Sequence, residues 1–241
     1  MRSLLLVPMD ETSAIDRAVA AGADALVLDL AASGQDASAR ERARLNARDV
    51  LRAAQLWPTR PLLYVRVENL EDAALGLDLA AVMIGEPDGV LLAGSRSGAD
   101  VQHLGAKLAV FEAEHGLSDG ETGIIAGAGA RAKALFSLGS YVEASPRLVG
   151  LTWSAEDLAA DLGSRHDGTA LPGPLETMRH FTLFAARAAE VAAIDSASMA
   201  PDRDAFLAEC RAARAQGFNA KLATTPEAVA VINAVFGHED P

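Results

Sequence analysis

The chain has 241 residues, half of them hydrophobic and only 5% aromatic, which suits one large domain of packed helices and argues against an all-β sandwich. A formal net charge of −12 excludes broad binding to nucleic-acid backbones and to anionic membrane surfaces. The single cysteine, Cys210, excludes an internal disulfide; with no secretion signal and no apolar run of membrane-spanning length, it points to the cytoplasm.

Short apolar runs alternate with amphipathic segments. "SLLLVP" (3–8) predicts a strand and "SAIDRAVAAG" (13–22) a helix stopped by Gly22. "ALVLDL" (25–30) predicts the next strand, and Ser38 to Glu41 has capping-box spacing ahead of a helix reaching about Ala54. "PLLYVRV" (61–67) reads as a strand, roughly Leu75 to Ile84 as a helix, "GVLLAG" (89–94) as a strand and about Ala99 to His115 as a helix. "TGIIAG" (122–127) is a strand followed by helical sequence from about Ala130 to Val142. "RLVGLTW" (147–153) leads to a short helix, "AEDLAADLG", opened by Ser154 and Asp157. Arg165 to Pro174 is loop-like, and Leu175 to Val191 is a long helix. "AAIDS" (192–196), a helix from Asp202 to Gln216, "NAKLAT" (219–224) and a last helix starting at Pro226 complete the chain.

These are about eight strand–helix units in 241 residues. The strands are continuous apolar runs, as parallel strands buried on both faces require. The reading is an α/β fold, a (β/α)8 barrel forming a single domain over 1–241, with a doubly wound open sheet as the alternative.

In such a barrel, function sits at the carboxyl ends of the strands. Those positions hold Asp29, Arg66 with Glu68, Gly94 to Arg96, Gly127 to Gly129, Ser154 with Glu156 and Asp157, Asp195, and Thr224 with Thr225, while Lys221 lies inside the last strand. No His stands at a strand end, which argues against a Ser–His or Cys–His nucleophile pair, and Cys210 falls within a helix as a core residue. Arg66 interrupts "LLYVRV" and needs a partner there: a substrate carboxylate or phosphate gripped in bidentate fashion, or an ion pair with Asp29 or Glu68. Asp157, in a first helical turn, either complements the helix dipole or ligates a hard metal such as Mg²⁺. "AGAGA" offers backbone N–H groups to a phosphate but lacks the G-x-G-x-x-G spacing. Arg40, Arg44, Arg48 and Arg52 recur every four residues, either as a solvated face paired with Glu41 and Asp49 or as a dock for an anion or a partner.

"RSLLLVP", "GADALVLDL", "YVRVEN", "DGVLLAG", "ASPRLVGLTWSAEDLAADLG", "AAID" and "GFNAK" follow, in order, the landmarks of a known family. On these the chain resembles the citrate lyase beta-subunit-like family of the HpcH/HpaI aldolase superfamily, over nearly its whole length. The resemblance implies a TIM barrel that makes or breaks a carbon–carbon bond beside a carboxylate or a coenzyme A thioester, with Mg²⁺ stabilising the enolate. It makes Arg66 the substrate-gripping and catalytic arginine, Asp157 a catalytic residue and one of two Mg²⁺ ligands, and Arg2 and Lys221 substrate-binding residues. It also implies a small organic acid or acyl-CoA as ligand and a homo-oligomer, a trimer with the C-terminal helix (about 226–236) packing on a neighbouring subunit.

Set against the family pattern, four strand ends have lost their functional groups. The second metal carboxylate falls at Ala130, and no acid lies within Gly127 to Ala134. Ala31 and Ala32 stand for two acids, Ala93 and Gly94 for "P-K", and Thr225 for a His. The expectation is a lyase or aldolase with a degraded Mg²⁺ site. The alternatives are a catalytically inactive barrel that binds a ligand or serves a partner subunit, and a metal-independent, thioesterase-like enzyme.

Overall fold

The computed structural model describes residues 1–10, 12–33, 36–164, 173–198, 200 and 202–237. Eight strands, β1 (Ser3–Pro8), β2 (Ala25–Asp29), β3 (Leu62–Val67), β4 (Gly89–Leu92), β5 (Gly123–Gly129), β6 (Leu148–Trp153), β7 (Ala192–Asp195) and β8 (Ala220–Ala223), form a closed barrel in sequence order. Every adjacent pair is parallel, including β1 with β8. The chain is thus a (β/α)8 barrel; the open-sheet alternative is excluded by that closing pair.

The residue alternation along each strand separates two apolar compartments. Leu4, Val27, Tyr64, Leu91, Ile125, Ile194 and Leu222 fill the barrel interior. Their neighbours Leu5, Leu26, Val65, Val90 and Leu151 face outward, in the larger core against the helices. Both faces are buried, so the strands read as unbroken apolar runs. Tyr64 fits inside because Gly89 opposite has no side chain; a Cβ there would run into the tyrosine ring.

The helices are α1 (Ile15–Ala20), α2 (Ala37–Ala54), α3 (Leu75–Met83), α4 (Gly98–His115), α5 (Ala155–Asp161), α6 (Gly173–Ala188), α7 (Arg203–Gln216) and α8 (Pro226–Phe236). Most bounds match the sequence reading within a few residues. Three local expectations are corrected. The cap of α2 is Asp36, whose carboxylate accepts from the Ser38 amide at 3.0 Å, rather than the capping box read at Ser38. The stretch 130–142 forms a 3-10 helix over Ala132–Tyr141 in place of an α-helix. At about 2.0 Å rise per residue against about 1.5 Å, it spans more length in the same chain, and buried Tyr141, hydrogen-bonded to Ser95, anchors its end. The arginine stripe of α2 is split. Arg40 and Arg44 are buried and clamp the fully buried Asp78 of α3, at 2.5 and 2.7 Å, and only Arg48 and Arg52 form the solvated face.

The loop expected over 165–174 lies outside the described residues up to 172, and Gly173 already belongs to α6. Cys210 is fully buried and burial pushes its thiol up to about 12, so it is an inert core residue. Among the described residues no helix is long and apolar enough to cross a membrane.

Candidate functional site

A cavity of about 330 Å³ opens at the carboxyl end of the barrel. Asp29, Arg66, Ala93, Gly127, Ala130 and Asp157 line it, together with Ser196, Ala197, Ser198 and Thr224. Parity places most of the strand groups: Asp29, Arg66, Ala93, Gly127, Ser196 and Thr224 each lie two residues beyond an inward-facing apolar residue of their own strand.

Arg66 and Asp29 are direct neighbours in the β2–β3 register. Nη1 of Arg66 donates to both carboxylate oxygens of Asp29, at 2.9 and 3.1 Å. Asp29 is buried, and its Oδ1 also accepts from the amides of Ala31 (3.0 Å) and Ala32 (3.1 Å). The ion pair that the sequence offered as an alternative to a ligand role is therefore present, yet it uses one nitrogen of the guanidinium. Among the described residues Nε and Nη2 have no hydrogen-bond partner. Asp29 thus holds the group at the cavity wall and leaves a donor edge for an acid.

Asp157 stands in the first turn of α5. Ser154 caps that helix by accepting the Asp157 amide at 3.2 Å, which fixes the turn at the rim. The Asp157 carboxylate is exposed and makes no hydrogen bond to a described residue. Glu68, just past β3, is half-buried. Burial raises its pKa; Arg66 and Arg40 oppose this, while Asp72 and Asp157 add to it. Glu68 and Asp157 therefore share one electrostatic neighbourhood.

Ala130 lines the same cavity, so the position read as an emptied metal ligand presents a methyl group there. Among the described residues no group of three His, Cys, Asp or Glu could hold a metal ion. Asp195, at the end of β7, faces away from the cavity. Its oxygens receive Trp153 Nε1 (2.8 Å), Arg179 Nε (2.9 Å) and Lys221 Nζ (2.9 Å). The carboxylates at the rim do not form an all-protein cage among the described residues, so an Mg²⁺ ion there would have to share oxygens from water or a ligand.

Three further expectations are revised. Lys221 does not reach the mouth. Ala220 and Leu222 occupy the inward positions of β8, so Lys221 points outward beneath α7, where Asp195, the Ser196 carbonyl and Glu209 take all three ammonium protons. Arg2 lies at the opposite, amino end of the barrel, before β1, and pairs with Asp24 through Nη2 (2.7 Å) and Nε (3.0 Å). The glycines of "AGAGA" belong to β5 and not to a phosphate loop. A Cβ on Gly129 would come 2.5 Å from Trp153 Cβ, so this glycine serves close approach of β6 and α6. Arg66, Asp157 and Ala130 are brought together; Arg2 and Lys221 are not. Sequence reasoning did not single out the cavity wall after β7, Ser196 to Ser198, or the part of Trp153 beneath it. The inward–outward alternation along β6 and β7 was the available signal.

Fold and site together define a (β/α)8 barrel whose carboxyl-end cavity presents an arginine, steadied by a buried aspartate, across from an exposed aspartate on a helix start. The HpcH/HpaI aldolase/citrate lyase family model matches residues 2–226, and the chain belongs to that family. It is 29% identical over 238 residues to a (3S)-malyl-CoA thioesterase of Cereibacter sphaeroides, covering 98% of this chain and 76% of that protein. It is 26% identical over 241 residues to citrate lyase subunit beta of Leuconostoc mesenteroides subsp. cremoris, with the same coverage. The structure of CitE from Mycobacterium tuberculosis in complex with magnesium, acetoacetate and coenzyme A superposes with a TM-score of 0.78 at 26% identity, over 99% of this chain and 81% of that one.

Proposed function

We propose that the mouth binds a small carboxylic acid or an acyl-CoA with a carboxylate on Arg66. The barrel performs carbon–carbon lyase or aldolase chemistry there, on a magnesium site reduced to one of its two carboxylates. Arg66 carries the reading: it lines the cavity, and Asp29 holds only its Nη1, at 2.9 Å. Acetoacetate and coenzyme A in the related CitE complex support this ligand class. Asp157 is the surviving ligand, so any Mg²⁺ is weakly held and depends on oxygens the substrate brings. The site works in the cytoplasm, and the chain assembles as a homo-oligomer, a trimer in which α8 packs on a neighbour; sedimentation analysis tests that assembly.

The second reading is a catalytically inactive barrel that binds a ligand or serves a partner subunit. Ala130 favours it, because a methyl group supplies neither charge nor geometry to an ion. One experiment separates the two. Mg²⁺ is titrated calorimetrically into the protein, alone and with oxaloacetate or acetyl-CoA. Magnesium-dependent ternary binding that Asp157→Ala abolishes establishes the first reading. Acid binding indifferent to Mg²⁺ favours the second as a ligand-binding barrel, and no heat under any condition overturns the first and leaves the second only its partner-subunit form.

A further inference from the structure

The segment after β7 forms one wall of the cavity, through Ser196, Ala197 and Ser198. Beneath it, between the barrel and helices α6 and α7, lies a buried ionic cluster that the proposed function does not use. Asp195 is its hub. Oδ1 accepts from Trp153 Nε1 at 2.8 Å and Arg179 Nε at 2.9 Å; Oδ2 accepts from Lys221 Nζ at 2.9 Å and Arg179 Nη2 at 3.2 Å. Lys221 donates its remaining protons to the Ser196 carbonyl and to Glu209 Oε1, both at 2.7 Å. The other oxygen of Glu209 accepts from the Ser198 hydroxyl at 2.5 Å, and Ser198 Oγ accepts the Ala200 amide at 2.9 Å. Ser196 Oγ in turn accepts from the amide of Ala155, at 3.4 Å, where α5 begins.

The cluster is ionised at neutral pH. Burial works against the Lys221 ammonium, but Asp195 and Glu209 outweigh it and raise its pKa. Burial likewise opposes the Asp195 carboxylate, and Lys221 and Arg179 still hold it at about 2. Two cations and two carboxylates balance, so the cluster carries no net charge.

We infer that Lys221 and Glu209 are positioning residues for the mouth: they tie the wall after β7 to the barrel and set its place relative to α5, which carries Asp157. The inference rests on the proposed reading of the cavity as an acid-binding site. A cluster serving stability alone has no need to engage the loop, since buried ion pairs are often replaceable by apolar residues without loss. Here Lys221 ends on the carbonyl of one cavity-lining serine and Glu209 on the hydroxyl of another. Ser196, so held, meets the first amide of α5. The wall and the Asp157 helix therefore move with the cluster.

Glu209 gives the cleanest test, because its side chain is 38% exposed and Lys221 keeps Asp195 when it is removed. Oxaloacetate with MgCl₂ is titrated into the full chain as wild type, Glu209→Ala and Glu209→Gln, with thermal melts of each. Glu209→Ala is expected to weaken binding by roughly 10-fold or more, the usual effect of losing a group that orients a site from behind. Glu209→Gln keeps an acceptor for Lys221 and is expected to stay near wild type. A lower melting temperature for Glu209→Ala with unchanged affinity assigns a purely structural role and overturns the inference. Should the wild type bind nothing, the functional reading falls, and Trp153 decides the positioning claim. In a Trp57→Phe background, Glu209→Ala is expected to raise acrylamide quenching of Trp153. Unchanged quenching overturns it.

Discussion

Two positions lining the mouth, Arg66 and Ala130, differ in what they present to it. Arg66 is fixed by a carboxylate that is itself fixed by two backbone amides. A charge-assisted hydrogen bond contributes about 1.5–3 kcal/mol. Arg66→Ala is accordingly expected to lower affinity for oxaloacetate by roughly 10-fold to 100-fold, read by calorimetry. Unchanged affinity would take Arg66 out of the site. Ala130 is the converse case, a methyl group on the cavity wall at the position the proposed reading gives to a second carboxylate. It borders open space in the cavity, so Ala130→Glu requires no repacking of the core. That variant is expected to gain measurable Mg²⁺ affinity, dependent on Asp157, in the same calorimeter. No gain would show that the two positions do not converge on one ion.

At the scale of elements, the α2–α3 clamp shows how a charged helix face becomes core. Asp78 is fully buried between Arg40 and Arg44, and Arg40 reaches Asp72 as well, at 2.6 Å. Removing one member of a buried ion pair leaves the rest uncompensated, at a cost of about 3–5 kcal/mol. Asp78→Ala is expected to lose that much in urea-induced unfolding, whereas Arg52→Ala on the exposed side changes little. The sequence shows why such features are only partly legible. Apolar runs and caps identify the elements because each depends on neighbours a few residues away, and β1, β3 and α8 follow the reading closely. Strand parity was legible too, in principle: Leu222 facing inward implies Lys221 facing outward. What an arginine meets across a helix pair is set by residues 34 and 38 positions away, and the spacing of Arg40 and Arg44 carries no trace of Asp78. The same limit kept the Asp29–Arg66 pair an alternative until the register joined the two strands.

For the whole molecule, acid is the expected weakness. Burial opposes the charge of Glu112, and Arg147 with the amides of Thr122 and Gly120 overcomes it, lowering its pKa from 4.5 to about 2. Asp195 is lowered from 3.8 to about 2. Both groups bind protons more weakly folded than unfolded, so their stabilisation is complete above about pH 5 and declines as pH falls toward 2. Unfolding free energy measured by urea titration should therefore drop steadily across that interval. Glu112→Gln should lower stability at pH 7 and flatten the slope, and an unaltered slope would remove Glu112 as its source.

The amide pair that cradles Asp29 has a consequence for how this chain can change. Main-chain groups do the cradling, so the aim of the guanidinium is indifferent to which side chains follow. Ala31 and Ala32 could be exchanged for other residues while the arginine kept its heading. The guanidinium is thereby insulated from substitution at those two positions, whereas the Asp157 carboxylate, which makes no hydrogen bond to a described residue, has no such support.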